Sequence, residues 1–177
     1  MCFSCLLECD PKFIDFKIED IQGLSIYEYN EKLKELIYKF KGCYDIELKD
    51  VFLYPYENEL SLIYKGYIII PIPSYFEDDE VRGFNHVELI FSNLKLEMVK
   101  ALEKVEKVKQ SEKNQKQRQQ IKKYLKVKNI DKIKNKKILL VDDICTTGST
   151  LKAAIDLLKE AAPKDIKILV LCKREMD

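Results

Sequence analysis

The chain predicts an α/β protein with a mainly parallel sheet flanked by helices, and three apolar runs carry that prediction. Tyr67-Ile-Ile-Ile-Pro-Ile-Pro73, Ile138-Leu-Leu-Val141 and the run from Ile166 to Leu171 are continuous rather than alternating. Continuous β-branched and leucine runs of this length suit strands covered on both faces. Helical patterns alternate with these runs, and parallel neighbours need such crossovers.

Taken in order, residues 1–23 hold cysteines and no clear periodicity, so they read as a separate N-terminal segment. Residues 24–66 read as a helical region. Asn30 is a suitable N-cap, Leu33, Leu36, Ile37 and Phe40 share one helix face, and Gly42 stands where a helix C-terminus favours glycine. A further amphipathic stretch runs from Asp45 to Leu53, before Pro55. The core region spans 67–177: the Tyr67 strand, a polar loop, an apolar-periodic helix from Val87 to Leu102, the Ile138 strand, a helix from Ser149 to Ala161, and the Ile166 strand. Between 103 and 136 the composition shifts to thirteen basic and four acidic residues with many glutamines. This stretch reads as a basic mobile loop without a packed core of its own.

At 177 residues the chain fits one domain with a substantial core, and its net charge of +1 points to neither a nucleic-acid binder nor an acidic tail. No apolar run approaches the roughly 20 residues of a membrane helix, and no signal core is visible, so a cytoplasmic protein without membrane insertion is expected. Six cysteines in that setting predict reduced thiols. Cys145 and Cys172 read as small packed residues rather than nucleophiles.

The most informative stretch is Ile138-Leu-Leu-Val-Asp-Asp-Ile-Cys-Thr-Thr-Gly-Ser-Thr150. It places Asp142 and Asp143 at the carboxyl end of a strand, where open α/β sheets bind ligands. Thr146, Thr147, Gly148, Ser149 and Thr150 then form a strand-to-helix loop. Successive backbone N–H groups at a helix N-terminus cradle an anion, glycine allows close approach, and the hydroxyls add donors. Carboxylates repel phosphate but accept from sugar hydroxyls and draw in Mg2+ through water. The segment is therefore expected to hold a sugar phosphate.

This stretch closely resembles the phosphoribosyl pyrophosphate (PRPP) signature of type I phosphoribosyltransferases. Arg82-Gly83-Phe84-Asn85, in the loop after the Ile68 strand, resembles the pyrophosphate loop of the same superfamily. A planar guanidinium at Arg82 suits phosphate oxygens, and Gly83 lets the backbone approach them. With Leu24-Ser-Ile-Tyr-Glu-Tyr-Asn30, the Leu33–Gly42 helix and Ile70-Pro-Ile-Pro73 in the same order, the chain resembles the ComF family, the amidophosphoribosyltransferase-like group associated with bacterial competence.

The resemblance implies a type I phosphoribosyltransferase fold with a small N-terminal helical hood over the acceptor. It also implies binding of PRPP with Mg2+ and phosphoribosyl transfer to a nitrogen acceptor of unknown identity, with pyrophosphate released. Asp142, Asp143 and Arg82 would be the catalytic set, the two carboxylates meeting Mg2+ through water or ribose. Gln110 and Arg118 match the glutamine and arginine of the family's mobile loop; the asparagine expected three residues later is Ile121 here. The single histidine, His86, reads as a first-turn helix residue. Family members carry two Cys-x-x-Cys pairs in a zinc knuckle, of which only Cys2 and Cys5 stand in this sequence, half the ligands a closed zinc site needs. Cys43 and Cys9 are the further candidates for that set, but a start placed downstream of the true one, or a truncated gene, accounts for the missing pair more simply. A reading of another class stays open: a non-catalytic module in DNA uptake, its lysines meeting single-stranded DNA or its surface meeting competence-machinery proteins.

Overall fold

The computed structural model describes residues 9, 11–74, 76–104 and 125–174. Strand β1 (Pro11–Ile18) turns back antiparallel into β2 (Ile21–Glu28). Helix α1 (Glu31–Gly42), a 3-10 turn (Ile46–Asp50) and helix α2 (Glu57–Ile63) follow. Next come β3 (Tyr67–Pro71), α3 (Phe76–Arg82) and α4 (His86–Phe91). A short antiparallel pair, β4 (Leu102–Lys104) and β5 (Leu125–Val127), precedes the single-turn α5 (Ile130–Ile133). The chain closes with β6 (Lys137–Cys145), α6 (Ser149–Lys159) and β7 (Asp165–Lys173).

The five-stranded sheet has the order β1-β2-β7-β6-β3, and every pairing in it except β1 with β2 is parallel. This is the mainly parallel, helix-flanked α/β architecture that the sequence predicts. Side chains alternate across each strand and sort into two cores. Ile69, Leu139, Val141, Leu169 and Leu171 face α1, α2 and α4, together with Leu33, Phe40, Leu60 and Phe91. Ile68, Ile70, Ile138, Leu140, Ile168 and Val170 face α6, against Leu151, Ala154, Ile155 and Leu158. Because both faces are covered, the strands read as unbroken apolar runs.

Several boundaries differ from expectation. Residues 21–28 form a strand inserted beside β7, so the hairpin β1-β2 crosses the expected border at 23/24 and the region 24–66 is not wholly helical. With Ile26 and Tyr27 buried next to buried Ser25, β2 lacks the two-residue alternation that would have marked it as a strand. The helix expected from Val87 to Leu102 ends at Phe91. Beyond it Met98 bridges Ile69, Ile69 N–H donates to Glu97 O (2.7 Å) and Val99 N–H to Ile69 O (2.8 Å), which covers the outer edge of β3. Leu125 and Ile133 are buried, so the far end of the basic stretch packs into the core rather than joining a loop that runs to 136. Gly42 is the last helical residue of α1, and the turn beyond uses Tyr44 at φ 59° instead of a glycine. Gln110, Ile121, Arg118, Cys2 and Cys5 lie outside the described residues. Among the described residues no helix is long and apolar enough to cross a membrane.

Candidate functional site

The carboxyl ends of β3 and β6 bring the predicted residues together. Pairing between these strands continues past Pro71, with Ile72 N–H donating to Val141 O (2.9 Å). Pro73 and Ser74 are thereby set beside Asp142. Strand β6 runs on through Cys145, so Asp142 and Asp143 lie within the strand and not beyond it. Strand alternation then divides the pair. Asp142 shares the parity of Ile138 and Leu140, on the α6 side, whereas Asp143 shares that of Leu139 and Val141, on the α1 and α4 side.

That division gives the two carboxylates different neighbours. Asp142 helps line a small cavity of about 30 Å3 enclosed by the loop from Thr146 to Thr150. Gly148 adopts φ 68° there, a conformation that favours glycine, and an added Cβ would lie 2.9 Å from Ile18 Cδ1, so the flexible end of Ile18 would have to shift. Thr147 Oγ1 lies 2.8 Å from Ser149 Oγ and accepts from Ser149 N–H (3.3 Å). No side chain caps α6, and its first turn carries no acid. Apart from the long Ser149 N–H bond to Thr147, its N-terminal N–H groups and partial positive charge are thus left for an anion.

Asp143 is 6% exposed and faces the helices. It pairs with Lys41 Nζ at the end of α1, and its Oδ2 lies 3.3 Å from His86 Nε2 at the start of α4. Ile144 N–H donates to its Oδ1 (2.8 Å). Burial alone would raise the Asp143 pKa, but the His86 hydrogen bond and the Lys41 charge outweigh it and hold the carboxyl well below its usual range. Asp142 moves the other way, pushed up by burial and by the neighbouring Asp143 charge.

His86 connects this carboxylate to the predicted pyrophosphate loop. Arg82 Nη1 lies 3.0 Å from His86 Nδ1. A guanidinium only donates, so Nδ1 must accept, and the ring is the neutral tautomer whose Nε2–H donates to Asp143. Burial lowers the His86 pKa, and Lys41 and Arg82 add to that effect against the pull of Asp143. The same Nη1 donates to Asp79 Oδ1 (3.1 Å), and Arg82 Nε donates to Lys41 O (3.2 Å). Asn85 completes the loop: its Oδ1 caps α4 by accepting from Glu88 N–H (3.0 Å), and its Nδ2 donates to Ser74 Oγ (2.7 Å) and Asp79 Oδ2 (2.9 Å).

Arg82 was expected to hold the pyrophosphate through bidentate guanidinium bonds. Only the two Nη2 donors lack a partner among the described residues, because the other three are held by Asp79, His86 and the Lys41 carbonyl. Gly83, expected to let the backbone approach a ligand, has φ 80° and open space around it, while its N–H is spent on Asp79 O (2.7 Å). Lys41, Ser74 and Asp79 carried no sequence signal: a lysine in a last helical turn and polar residues in a loop look like ordinary surface.

A second cavity of about 240 Å3 joins these parts, and it shares Asp142 and Thr150 with the small one. Its wall carries three cations, Lys41, Arg82 and Lys104, against two carboxylates, Asp142 and Asp143. On the other side of Lys41 an apolar hollow of about 290 Å3 lies between Tyr29, Ile37, Tyr38 and Ile144. Among the described residues no group of three or more His, Cys, Asp or Glu could hold a metal ion. Two carboxylates beside a helix N-terminus suited to an anion would suit Mg2+ that keeps several waters and binds through ligand oxygens. Burial, with Asp143 adding to it, pushes the Cys172 thiol up to about 12, and burial also raises Cys145, so neither is an activated nucleophile.

Residues 84–177 match the phosphoribosyl transferase domain family. The chain is 36% identical over 172 residues to competence protein ComFC of Streptococcus pneumoniae (strain ATCC BAA-255 / R6), covering 97% of this chain and 74% of that one. It is 33% identical over 141 residues to competence protein ComFC of Bacillus subtilis (strain 168), covering 78% of this chain and 58% of that one. Among solved structures, a hypoxanthine-guanine phosphoribosyltransferase of Bacillus anthracis gives a TM-score of 0.47 at 17% identity, with 75% of each chain covered.

Proposed function

The chain belongs to the ComF family of the type I phosphoribosyltransferase superfamily, and from that premise we propose that it binds PRPP with Mg2+ and transfers the phosphoribosyl group to a nitrogen acceptor. The observation that carries this reading is the pair of adjoining cavities joined through Asp142 and Thr150. A small cradle adjoins a larger space of mixed charge across Asp142 and Thr150, an arrangement that suits a sugar carrying anions at both ends.

The 5-phosphate sits on the backbone N–H groups and hydroxyls of Thr146 to Thr150 at the N-terminus of α6. Asp142 accepts from the ribose hydroxyls, and Arg82 offers its Nη2 donors to the pyrophosphate. The acceptor nitrogen, seated in the aromatic-walled hollow beneath α1, attacks the anomeric carbon as the bond to pyrophosphate breaks. Catalysis comes from orientation and from charge complementarity at the departing pyrophosphate. Asp143, beside Asp142, adds negative charge near the developing positive ribosyl centre. Bound Mg2+ would supply further neutralisation of the leaving group through the carboxylates and ligand oxygens.

Calorimetric titration of PRPP with Mg2+, repeated with ribose 5-phosphate and with EDTA, tests the reading. Saturable Mg2+-dependent binding, followed by pyrophosphate release with a nitrogen acceptor, is expected. A folded protein that ignores PRPP would refute it. A second reading draws on the thirteen basic residues between 103 and 136 and the competence names of the relatives: a module that binds single-stranded DNA without turnover. Salt-sensitive binding of single-stranded DNA, lost on deleting 105–124, with no pyrophosphate release, would favour it.

A further inference from the structure

We infer that Lys41 is a pyrophosphate-binding residue of the site, exchanging the Asp143 carboxylate for the leaving-group oxygens of PRPP; this deepens, and rests on, the PRPP reading above. Lys41 is the one residue of α1 that reaches both limbs of the site. Its backbone carbonyl accepts from Arg82 Nε (3.2 Å), so its position is fixed to the residue assigned to the pyrophosphate. Its ammonium pairs with Asp143, and its side chain lines the 240 Å3 cavity beside Ser74, Arg82 and Thr150. It does not line the small cavity of the Thr146–Thr150 loop. The lysine therefore belongs to the pyrophosphate end and not to the 5-phosphate end.

The partners of Asp143 make the exchange feasible. His86 Nε2 and Ile144 N continue to satisfy that carboxylate when the ammonium turns away. Lys41 is the exposed member of the pair, its side chain 29% accessible against 8% for Asp143, so it is the one with room to move. An ammonium carries three donors on a flexible stem and meets phosphate as a point charge, with no need for the planar fork of an arginine. Arg82 has given three of its donors to Asp79, His86 and the Lys41 carbonyl. Lys41 is the cation that α1 brings to this cavity wall, beside Arg82 from α3 and Lys104 from β4.

The test titrates Mg2+ with PRPP, with inorganic pyrophosphate and with ribose 5-phosphate into wild type, Lys41→Met, Lys41→Gln, Lys41→Arg, Asp143→Asn and the Lys41→Met/Asp143→Asn double variant. Loss of one charge-assisted contact is expected to weaken PRPP and pyrophosphate roughly ten- to a hundredfold in Lys41→Met and Lys41→Gln. Ribose 5-phosphate should change less than about threefold, and Lys41→Arg should recover most of the loss. The factor must persist when Lys41→Met is made in the Asp143→Asn background. If it vanishes there, Lys41 acts only by neutralising Asp143 and the inference is overturned, as it is by unchanged pyrophosphate affinity in Lys41→Met. Wild type that binds pyrophosphate through Lys41 but neither PRPP nor ribose 5-phosphate would overturn the transferase reading and leave the anion role of Lys41 standing. Wild type that binds none of the three would overturn both.

Discussion

Asn at position 143 should destabilise the fold, whereas Asn at position 142 should not, although the two residues are adjacent and chemically identical. Asp143 Oδ2 meets Lys41 Nζ and His86 Nε2, and its Oδ1 meets Ile144 N. An asparagine there keeps the Ile144 bond through Oδ1 but turns an NH2 toward two groups that can only donate. The His86 N–H, on a side chain 8% exposed, loses its acceptor, which costs about 1–3 kcal/mol. Loss of the Lys41 pair costs about 1 kcal/mol, toward the low end because the lysine is 29% exposed and can turn to water. The sum is about 3 kcal/mol, or roughly 6–12 °C in Tm for a chain of this size. Asp142 Oδ1 accepts only from Asp143 N–H among the described residues (2.9 Å), and an asparagine oxygen preserves that bond. Asp142→Asn also removes a like charge beside Asp143, so its stability should stay within about 0.5 kcal/mol of wild type or exceed it.

Urea denaturation of both variants at pH 7 decides the matter, and equal destabilisation would refute the division of the pair by strand alternation. The pH dependence gives an independent sign. The folded pKa of Asp142 is raised above the ordinary 3.8, so its ionisation costs stability as pH rises above that value, and Asp142→Asn should gain on wild type over the same range. The folded pKa of Asp143 is depressed, so its contribution is present above 3.8 and is lost as pH falls through the lower folded value.

His86 is the only histidine in the chain, so its nitrogen resonances are unambiguous; they should report the neutral Nε2–H tautomer at pH 7 and a midpoint below 6.5. Because the unfolded ring takes up a proton that the folded one resists, wild type should lose stability as pH falls below 6.5, and His86→Gln should flatten that loss in urea titrations. Gly148→Ala should cost about 1–2 kcal/mol through its φ of 68° and weaken ribose 5-phosphate; adding Ile18→Ala should relieve the 2.9 Å contact without restoring the affinity. Asn85→Ala removes a helix cap and two donors to Ser74 and Asp79, so thermal melting should show a loss of about 1–2 kcal/mol and PRPP affinity should fall as Arg82 loses its support.

The sequence by itself determined the strands β3, β6 and β7, the helices α1 and α6 and the loop from Thr146 to Thr150. These depend on local pattern: unbroken apolar runs, a 3.6-residue period, an Asn30 cap whose Oδ1 accepts from Leu33 N–H (2.8 Å), and a glycine in a left-handed turn. It also brought Asp142 and Arg82 to notice, because motif spacing is a local property. Strand β2 escaped notice because its burial comes from β7, some 140 residues along the chain, and not from any alternation of its own. The helix after Asn85 ended early for a similar reason: the apolar residues beyond Phe91 are drawn to the exposed edge of β3, a partner that no local period announces. The tertiary structure alone assigned Asp143 to the helices and Asp142 to the phosphate loop, and it alone brought Lys41 across 102 positions to that carboxylate. Local sequence encodes which way a backbone runs; the far side of a cavity is set by sheet order and helix packing, which join residues with no relation along the chain.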